Sequence, residues 1–457
     1  MSATTKPVQL VHTAEVSPSE LADAAARLNA ELARTSAGTE CPTVAIVGLG
    51  YVGLPTGLAL QATGCQVIGL DISQRRLASI ADASADLLTR DRELLVDALD
   101  AGRLELSADM SRIEEADVVF IAVPTPVDED LNPDPRAVHG ACATVVRHAR
   151  AGQTIILTST TYVGTTRAHL VEPLAARGLV AGDNIHVAFA PERILPGDES
   201  VQQMETPRVL GGVTPACTRA AKTVLDPIVQ VLHTVSSAEA AECTKLFENT
   251  FRAVNLAFAN EMAGVAKHYG LDIVELVDAA ATKPYGFLAH YPGAGIGGHC
   301  IPVDPYYLLA PLGEAGVDTP IATTALSRVA ARPGDVAQRA LDILADRGIA
   351  PADARILVVG MAYKPGVQDY RESPAADITR HLVRRGVRVD YYDPYVETAE
   401  IHGIGTLTSV PGPVASNYDL ALVATVHPRF DYGFLDECAD VLDATYRTPG
   451  GQRRHTV

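Results

Sequence analysis

The sequence predicts an α/β fold in which two doubly wound parallel-sheet domains are joined by a long central helix. In both halves of the chain, short apolar segments alternate with helical ones, a pattern typical of parallel sheets covered by helices on both faces. Between the halves, the stretch from Ser236 to about Tyr269 contains no proline and only one interior glycine, Gly264. A helix of that length would span roughly 45–50 Å, enough to bridge domains or form a subunit interface.

The 457-residue length predicts two to four domains, and 47% hydrophobic with 20% charged residues is ordinary for a globular protein. We divide the chain into an N-terminal helical extension (1–40), a first sheet domain (41–235), a central helical region (236–331) and a second sheet domain (332–457). In the extension, Ser17-Pro18-Ser19-Glu20 has capping-box spacing and predicts a helix to about Thr35. Such a helix would pack on the body or on a neighbouring subunit.

Charge and cysteine content exclude some classes of protein. A net charge of −18 argues against a nucleic-acid partner or an anionic membrane, which favour basic surfaces. The seven cysteines are odd in number and never in Cys-x-x-Cys spacing, which predicts a reducing, cytoplasmic compartment and no disulfide or zinc framework. No apolar run reaches about 18 residues, and the N-terminus lacks the order of a signal peptide.

Individual elements follow from apolar runs and turn residues. In the first sheet domain a helix is predicted at Pro55–Thr63, and the strands are Thr43–Val47, Gln66–Leu70, Val118–Val123, Thr154–Leu157 and His186–Phe189. A further region begins near Arg332-Pro333-Gly334. There Ser373-Pro374 caps a helix to about Arg385, and the strands are Arg355–Val359, Val387–Tyr392 and Leu420–Thr425.

A dinucleotide-binding fingerprint identifies the first sheet domain as Rossmann-like. Gly48, Gly50 and Gly53, with Tyr51 and Val52 between them, follow a strand and open a helix. Asp71 ends the next strand, 18 residues after Gly53, where it can accept a hydrogen bond from a ribose 2′-hydroxyl. Its charge would repel a 2′-phosphate, so NAD is favoured over NADP. Arg75 and Arg76 leave NADP open, because an arginine can accommodate that phosphate.

A second motif carries a potential nucleophile. Gly297-Gly298-His299-Cys300 is followed by Asp304, which puts a thiol in a tight loop with a carboxylate four residues on. A lone cysteine is most often buried and inert. Together with a nicotinamide site, however, a reactive thiol suggests an oxidation that passes through a thioester and ends at a carboxylate. His299 has no partners at ligand spacing, so we predict no metal site and regard it as part of the loop architecture.

Five segments in order resemble the UDP-glucose/GDP-mannose dehydrogenase family: residues 48–53, 190–197, 242–255, 297–304 and 361–374. The resemblance extends from about Thr43 to Tyr446. It implies that Cys300 is the nucleophile and Asp304 its acid–base partner. It further implies that Lys245 and Asn249, which share one helix face, hold the developing alkoxide at the sugar C6.

The resemblance implies the remaining site residues. Glu192 helps water attack the thioester, and Thr125 positions that water. The cofactor contacts implied in addition to the glycine turn and Asp71 are Arg76, Pro124, Thr125 and Thr160. The substrate contacts are Glu192, Arg193, Lys245, Asn249, Arg252, Tyr291, Gly297, Lys364 and Arg371.

Lys364 and Arg371 also follow from the sheet rule, because ligands lie at the carboxyl ends of parallel strands. These two cations are candidates for holding a nucleotide diphosphate. The alternative is that they form surface ion pairs with Asp369 and Glu372.

The motifs point to different branches of the family. Residues 281–287 and 159–162 resemble UDP-N-acetylglucosamine 6-dehydrogenases, whereas residues 192–197 resemble the N-acetylmannosamine enzymes. Pro196 stands where enzymes that act on UDP-glucose carry an acid, and the subunit-crossing arginine of several branches is replaced around Tyr285. The sugar epimer therefore stays open.

The resemblance implies an NAD-dependent, four-electron oxidation of the C6 alcohol of a UDP-N-acetylhexosamine to the uronic acid, and a role in polysaccharide biosynthesis. One alternative is the same reaction on UDP-glucose. Another is a catalytically silent subunit that binds nucleotide sugars. The expected partners are a UDP-sugar and a second copy of the chain, since the long central helix makes a homodimer the minimum assembly.

Overall fold

The computed structural model describes residues 41–448 and 454–457, except residues 86, 88, 129 and 194–204. The predicted helix from Ser17 to about Thr35 lies outside the described residues. Within them the predicted α/β fold is confirmed: two mainly parallel sheets and, between them in sequence, a set of helices.

The first sheet has eight described strands. They are β1 (Val44–Val47), β2 (Val67–Leu70), β3 (Leu104–Ser107), β4 (Val118–Ile121), β5 (Thr154–Leu157), β6 (His186–Phe189), β7 (Arg208–Gly212) and β8 (Leu232–Thr234). Their order is β3-β2-β1-β4-β5-β6-β7-β8. The pairing of β6 with β7 is antiparallel, and the other pairings in this sheet are parallel, as predicted.

Helices cover both faces of this sheet. They are α1 (Gly53–Ala62), α2 (Gln74–Ala81), α3 (Thr89–Asp100), α4 (Arg136–His148), α5 (Glu172–Ala176) and α6 (Pro215–Leu225). Alternate residues of β1 enter different cores: Val44 and Ile46 pack in one cluster, Ala45 and Val47 in another. Because successive strand side chains point to opposite faces, a run of four apolar residues is what a doubly covered strand requires.

The central region consists of helices. They are α7 (Ala238–His268), α8 (Ile273–Ala281), α9 (Asp304–Glu314) and α10 (Pro320–Asp346). The predicted long helix is confirmed as α7, with 31 residues, but its N-cap is Ser237, one residue later than the predicted capping box. Arg332-Pro333-Gly334, near which the second sheet domain is predicted to begin, lies inside α10, which continues through Pro333.

The second sheet has five described strands. The helix α11 (Pro374–Arg384) packs beside it and is capped by Ser373, as predicted. The strands are β9 (Arg355–Val359), β10 (Arg388–Tyr392), β13 (Leu420–Val423), β14 (Val441–Asp443) and β15 (Arg454–Thr456). They pair in parallel in the order β10-β9-β13-β14-β15, and a separate antiparallel pair is formed by β11 (Thr398–Ile401) and β12 (Gly405–Thr408).

The cysteines depart from the expectation of a chain without disulfides. Cys41 and Cys65 are each disulfide-bonded. The described cysteines with free thiols are Cys142, Cys217, Cys243, Cys300 and Cys438. No helix in the described part of the chain is both long enough and apolar enough to cross a membrane.

Candidate active site

The glycine turn between β1 and α1 has the geometry of a dinucleotide site. Gly48 has a φ of +93°, and a Cβ there would lie 2.5 Å from the carbonyl oxygen of Ala122. A Cβ at Gly53 would lie 1.9 Å from the oxygen of Gly48, whereas one at Gly50 would meet no atom within 4 Å. The first and third glycines are therefore required by packing, and the second borders open space. No side chain caps α1, which leaves its N-terminus suited to a pyrophosphate.

Asp71 and Arg76 brace this turn. The carboxylate of Asp71 accepts hydrogen bonds from the backbone N–H of Leu49 (2.9 Å) and of Ser73 (2.8 Å). Arg76 donates from Nε to the oxygen of Leu49 at 2.7 Å. Asp71 remains half exposed at the end of β2, beside the turn. An acceptor at this position fits the ribose of NAD, so the described residues are compatible with that cofactor.

Asp304 is the most perturbed acid near the cysteine loop. It opens α9, is 2% exposed, and its Oδ2 accepts a hydrogen bond of 2.5 Å from Asn249 Nδ2. Burial raises the pKa of Asp304 to about 6, although the charge of Lys245 and the bond from Asn249 oppose the change. A carboxyl with this pKa exchanges protons near neutral pH, as a general acid or base must.

The thiol of Cys300 shares this environment. Its backbone oxygen accepts a hydrogen bond of 2.8 Å from the N–H of Asp304. Burial raises the pKa of Cys300, the negative charge of Asp304 raises it further, and Lys245 and Arg252 act in the opposite direction. The resting form is the neutral thiol, so the sulfur needs a base before it can attack.

Lys245 joins this cluster to Glu192. Its Nζ donates to the backbone oxygen of Glu192 at 2.9 Å. The Glu192 side chain is only 8% exposed, and its carboxylate forms an ion pair with Arg208, which is 2% exposed. Sequence reasoning missed Arg208. A signal was available, since an arginine at the head of an apolar strand calls for a buried partner.

Arg193 is held by two contacts with other residues of the protein. Its guanidinium forms an ion pair with Glu248 on α7 and donates to the oxygen of Pro207 at 2.8 Å. Tyr291 likewise donates from its hydroxyl to Asp278 on α8 at 2.6 Å. Substrate contacts at these two residues and at the exposed Arg252 stay predictions.

The loops that follow β4 and β5 meet the same region. Tyr307 of α9 donates from its hydroxyl to the oxygen of Pro126 at 2.8 Å, which ties the loop of Pro124 and the half-buried Thr125 to the helix that starts at Asp304. A small apolar cluster joins these loops, α7 and the cysteine loop; it contains Leu246, Val303 and Tyr307, with Val127 and Tyr162 packed against it. Thr160 is half-buried in the second of these loops.

Glu242 fixes that second loop and was also missed. It is 1% exposed on α7 and accepts hydrogen bonds from the N–H of Gly164 (2.5 Å) and from the N–H and hydroxyl of Thr166 (2.8 and 2.6 Å). Burial raises the pKa of this carboxyl against those bonds. A buried acid with three donors anchors the backbone just after Thr160.

The loop that follows β9 closes the other side of the site. A Cβ at Gly298 would lie 2.9 Å from the ring of Tyr363, and one at Gly297 would lie 2.8 Å from its Cβ. Burial raises the pKa of Tyr363 to about 12, with smaller contributions from Asp369 and Cys300. Tyr363 is therefore a further site residue, and the glycines before Cys300 are required by its close approach.

Arg371 connects this side to the glycine turn. It forms an ion pair with Asp369 at 2.7 Å, as the alternative interpretation predicted, and its guanidinium carbon lies 4.9 Å from the ring centroid of Tyr51. Arg371 also lowers the pKa of His299, after burial, so the histidine beside Cys300 lies near it. The cysteine loop, the second sheet and the cofactor turn thus converge. Lys364 is half-buried in the same loop as Tyr363.

Comparison with known proteins identifies the family. Three models of the UDP-glucose/GDP-mannose dehydrogenase family match in succession: its NAD binding domain at residues 42–229, its central domain at 239–328 and its UDP binding domain at 357–448. A UDP-N-acetyl-D-mannosamine dehydrogenase from Pyrococcus horikoshii is 35% identical over 396 residues, which cover 85% of this chain and 90% of that protein. The chain belongs to the UDP-glucose/GDP-mannose dehydrogenase family.

Other members of the UDP-glucose/GDP-mannose dehydrogenase family are also similar to this chain in sequence and in fold. A UDP-N-acetyl-D-glucosamine 6-dehydrogenase from Pseudomonas aeruginosa is 32% identical over 390 residues, 85% of this chain and 91% of that one. The solved UDP-D-ManNAc dehydrogenase from Pyrococcus horikoshii superposes with a TM-score of 0.82 at 30% identity, covering 91% of this chain and 98% of that one. The chain is an NAD-dependent nucleotide-sugar dehydrogenase, and the predicted cofactor is confirmed.

Proposed function

We propose that the chain oxidises the C6 alcohol of a UDP-N-acetylhexosamine to the uronic acid through a thioester on Cys300. The observation that carries the proposal is the buried cluster in which Asp304, with a pKa of about 6, lies against Asn249 and next to Cys300. The names of the mannosamine and glucosamine relatives support an N-acetylhexosamine as the sugar.

The proposed reaction divides between cofactor and protein. When bound, NAD accepts a hydride in each of two oxidation steps. Asp304 takes the proton that leaves the C6 hydroxyl or the Cys300 thiol, and the sulfur adds to the aldehyde carbon. Lys245 and Asn249 each use one N–H in the contacts described above and have further N–H groups for the C6 oxygen, where negative charge develops.

Hydrolysis of the thioester completes the sequence. Water adds to the acyl carbon and the carbon–sulfur bond breaks, so that Cys300 returns as a thiol. Glu192 assists that water, with Thr125 positioning it. The ion pair with the buried Arg208 holds the Glu192 carboxylate in place beside the backbone that Lys245 contacts. One alcohol, two NAD and one water give one carboxylate, two NADH and three protons.

The substrate is tested by a panel. We expect NADH to form with UDP-N-acetylglucosamine, UDP-N-acetylmannosamine or UDP-N-acetylgalactosamine, two per acid produced, and much more slowly with UDP-glucose and GDP-mannose. Absorbance at the NADH band and mass spectrometry of the acid supply the ratio. UDP-glucose as the best substrate would reassign the sugar. No NADH with any of the five would favour the silent binding subunit.

We also propose a homodimer formed through α7. Three aromatic residues along this helix are exposed: Phe247 (65%), Phe251 (42%) and Phe258 (58%). Apolar patches of this kind on a globular protein mark interaction sites. We assign the partner at this patch as a second copy of the chain. The helix α7 is long and continuous, and a symmetric dimer interface is built from the same face of both subunits.

Light scattering tests the dimer. We expect a mass twice the chain mass of 48.2 kDa, and a shift toward the single-chain mass in Phe258→Glu, because the glutamate would be buried without a partner. Val414→Glu, at an exposed apolar residue of the second sheet domain, is the matched control and should keep the doubled mass. A wild-type mass of one chain at working concentration contradicts the proposal.

A cytoplasmic location is part of the same proposal. Cys300 must remain a thiol in order to attack, and the cytoplasm keeps most thiols reduced. Five described cysteines are free thiols, against the two, Cys41 and Cys65, that are disulfide-bonded. The product would still carry its nucleotide diphosphate, which makes it an activated donor for glycosyl transfer. We therefore propose that it supplies polysaccharide biosynthesis.

A further inference from the structure

A buried carboxylate and a buried histidine lie beyond the carboxyl ends of β10 and β13, the two strands that flank β9 in the second sheet. Asp393 follows β10 and His427 follows β13, and both side chains are fully buried. Asp393 Oδ1 accepts the backbone N–H of Tyr395 and Val396 at 2.8 and 3.1 Å. Its Oδ2 accepts the N–H of Met361 and Ala362 at 2.6 and 2.8 Å and lies 3.1 Å from His427 Nε2.

The contacts of His427 define its tautomer. The backbone N–H of Gly366 donates to its Nδ1 at 3.0 Å, so that nitrogen carries no proton. Nε2 therefore bears the proton and donates it to Asp393. Asp393 thus holds the start of the loop from Met361 to Gly366 directly, and it holds the end of that loop through His427.

Other side chains fix the backbone of the same loop. Ser373 donates from Oγ to the oxygen of Met361 at 2.7 Å, and Thr425 donates from Oγ1 to the oxygen of Ala362 at 2.7 Å. The N–H of Tyr363 donates to the oxygen of Asp369 at 3.1 Å. A segment without regular structure is thus held at successive polar atoms, so its side chains have a defined position.

The side chains of this loop face the site. The ring of Tyr363 packs on Gly298, two residues before Cys300, and Lys364 follows directly. A change of about 1 Å in the path of this loop would move both the wall of the cysteine loop and the cation predicted for the diphosphate. Displacements of that size far from the reacting atoms are costly in catalysis.

The first sheet shows why Asp393 has this role. Asp71 and Asp393 each follow the strand next to the loop-bearing strand of their sheet, and each accepts loop N–H groups. Asp71 is half exposed and keeps lone pairs for a ribose. Asp393 is buried and receives five N–H donors, which leaves no accessible acceptor. Asp393 therefore holds backbone N–H groups of the protein and cannot accept a hydrogen bond from a ribose hydroxyl.

We propose that Asp393 and His427 are positioning residues that set the Met361–Gly366 loop for binding the nucleotide end of the substrate. The inference rests on the proposed function, because it assigns the loop to the UDP-sugar side of the site. It predicts that damage to the pair weakens UDP-sugar binding and leaves NAD binding intact.

The test compares His427→Leu with His427→Gln in the full chain. Leucine removes both hydrogen bonds, and we expect the dissociation constant of UDP, measured by calorimetry without NAD, and the KM of the sugar nucleotide to rise about tenfold or more. Glutamine can accept from Gly366 with Oε1 and donate to Asp393 with Nε2, so most of the affinity should return. The KM of NAD should change less than twofold in both variants.

Two results would overturn the inference. One is a folded His427→Leu variant that binds UDP as tightly as the wild type; the other is a loss that affects NAD and UDP equally. If the leucine variant does not fold, Thr425→Val tests the same loop, and unchanged UDP affinity there overturns it as well. Because UDP binding needs no turnover, a wild type that oxidises no sugar would remove the proposed function while leaving this comparison valid.

Discussion

Cys300→Ser is expected to stop formation of the sugar acid, with a loss of at least about 1,000-fold in rate, as is typical when an enzyme nucleophile is removed. A serine hydroxyl is far less acidic and far less nucleophilic than a thiol, so it adds to the aldehyde carbon much more slowly. Without a covalent adduct the second oxidation has no substrate. At most one NADH should form per sugar, and equilibrium binding of NAD should persist.

The matched control is Cys243→Ser, which replaces an exposed free thiol on α7. Mass spectrometry of the acid and NADH absorbance, measured on the same samples, separate aldehyde from acid formation. Acid produced at the wild-type rate by Cys300→Ser would refute the role of the sulfur. Loss of NAD binding in that variant would instead indicate a general structural defect.

The strands could be predicted because their burial is uniform. Thr154–Leu157, His186–Phe189 and Arg355–Val359 match the structure to the residue. In a parallel sheet covered on both faces, every strand position needs an apolar or small side chain, so the run itself marks the strand. The antiparallel pairing of β7 with β6 could not be predicted, because a five-residue apolar segment has no sequence pattern that specifies the direction of pairing.

The continuation of α10 through Pro333 shows where local rules fail. Proline removes one hydrogen bond from a helix, but the segment around it is buried, and Arg332 donates from Nε to the oxygen of Gly293 at 3.0 Å. Contacts of α10 with the cysteine loop therefore outweigh the local cost. Such contacts join residues far apart in sequence and are invisible to a local pattern.

The same reasoning separates the site residues that were found from those that were missed. Cys300 and Asp304 stand four residues apart, as do Lys245 and Asn249, so spacing alone groups them. Arg208, Tyr363 and His427 act through partners that are 16 to 66 positions away in the chain. Only the folded chain identifies those partners. Motif spacing thus finds the reacting groups, and the tertiary structure finds what holds them.

Asp304→Asn is expected to stabilise the fold while it removes activity. The pKa of Asp304 is about 6 in the fold against an ordinary value of 3.8. Because the folded value is the higher one, the native state binds the proton more readily. The stability that this supplies is fully present below pH 3.8 and is lost as the pH rises to about 6. Above that range the buried charge costs about 3 kcal/mol.

Asparagine stays neutral at every pH, so the free energy of unfolding at pH 8 should rise by up to about 3 kcal/mol, and by almost nothing at pH 4. Turnover should fall by about 100-fold or more, since general base catalysis contributes at least that much. Denaturant titrations at both pH values measure the first effect, and NADH formation the second.

Asp97→Asn, at an exposed carboxylate on α3, is the control and should show no stabilisation at either pH. Equal destabilisation of Asp304→Asn at pH 4 and pH 8 would mean that the ionised form carries no penalty in the fold. Asp304 would then lack a reason to titrate near neutrality. The desolvation that weakens the fold above pH 6 is, on this account, the same physical effect that makes the carboxyl a usable base beside Cys300.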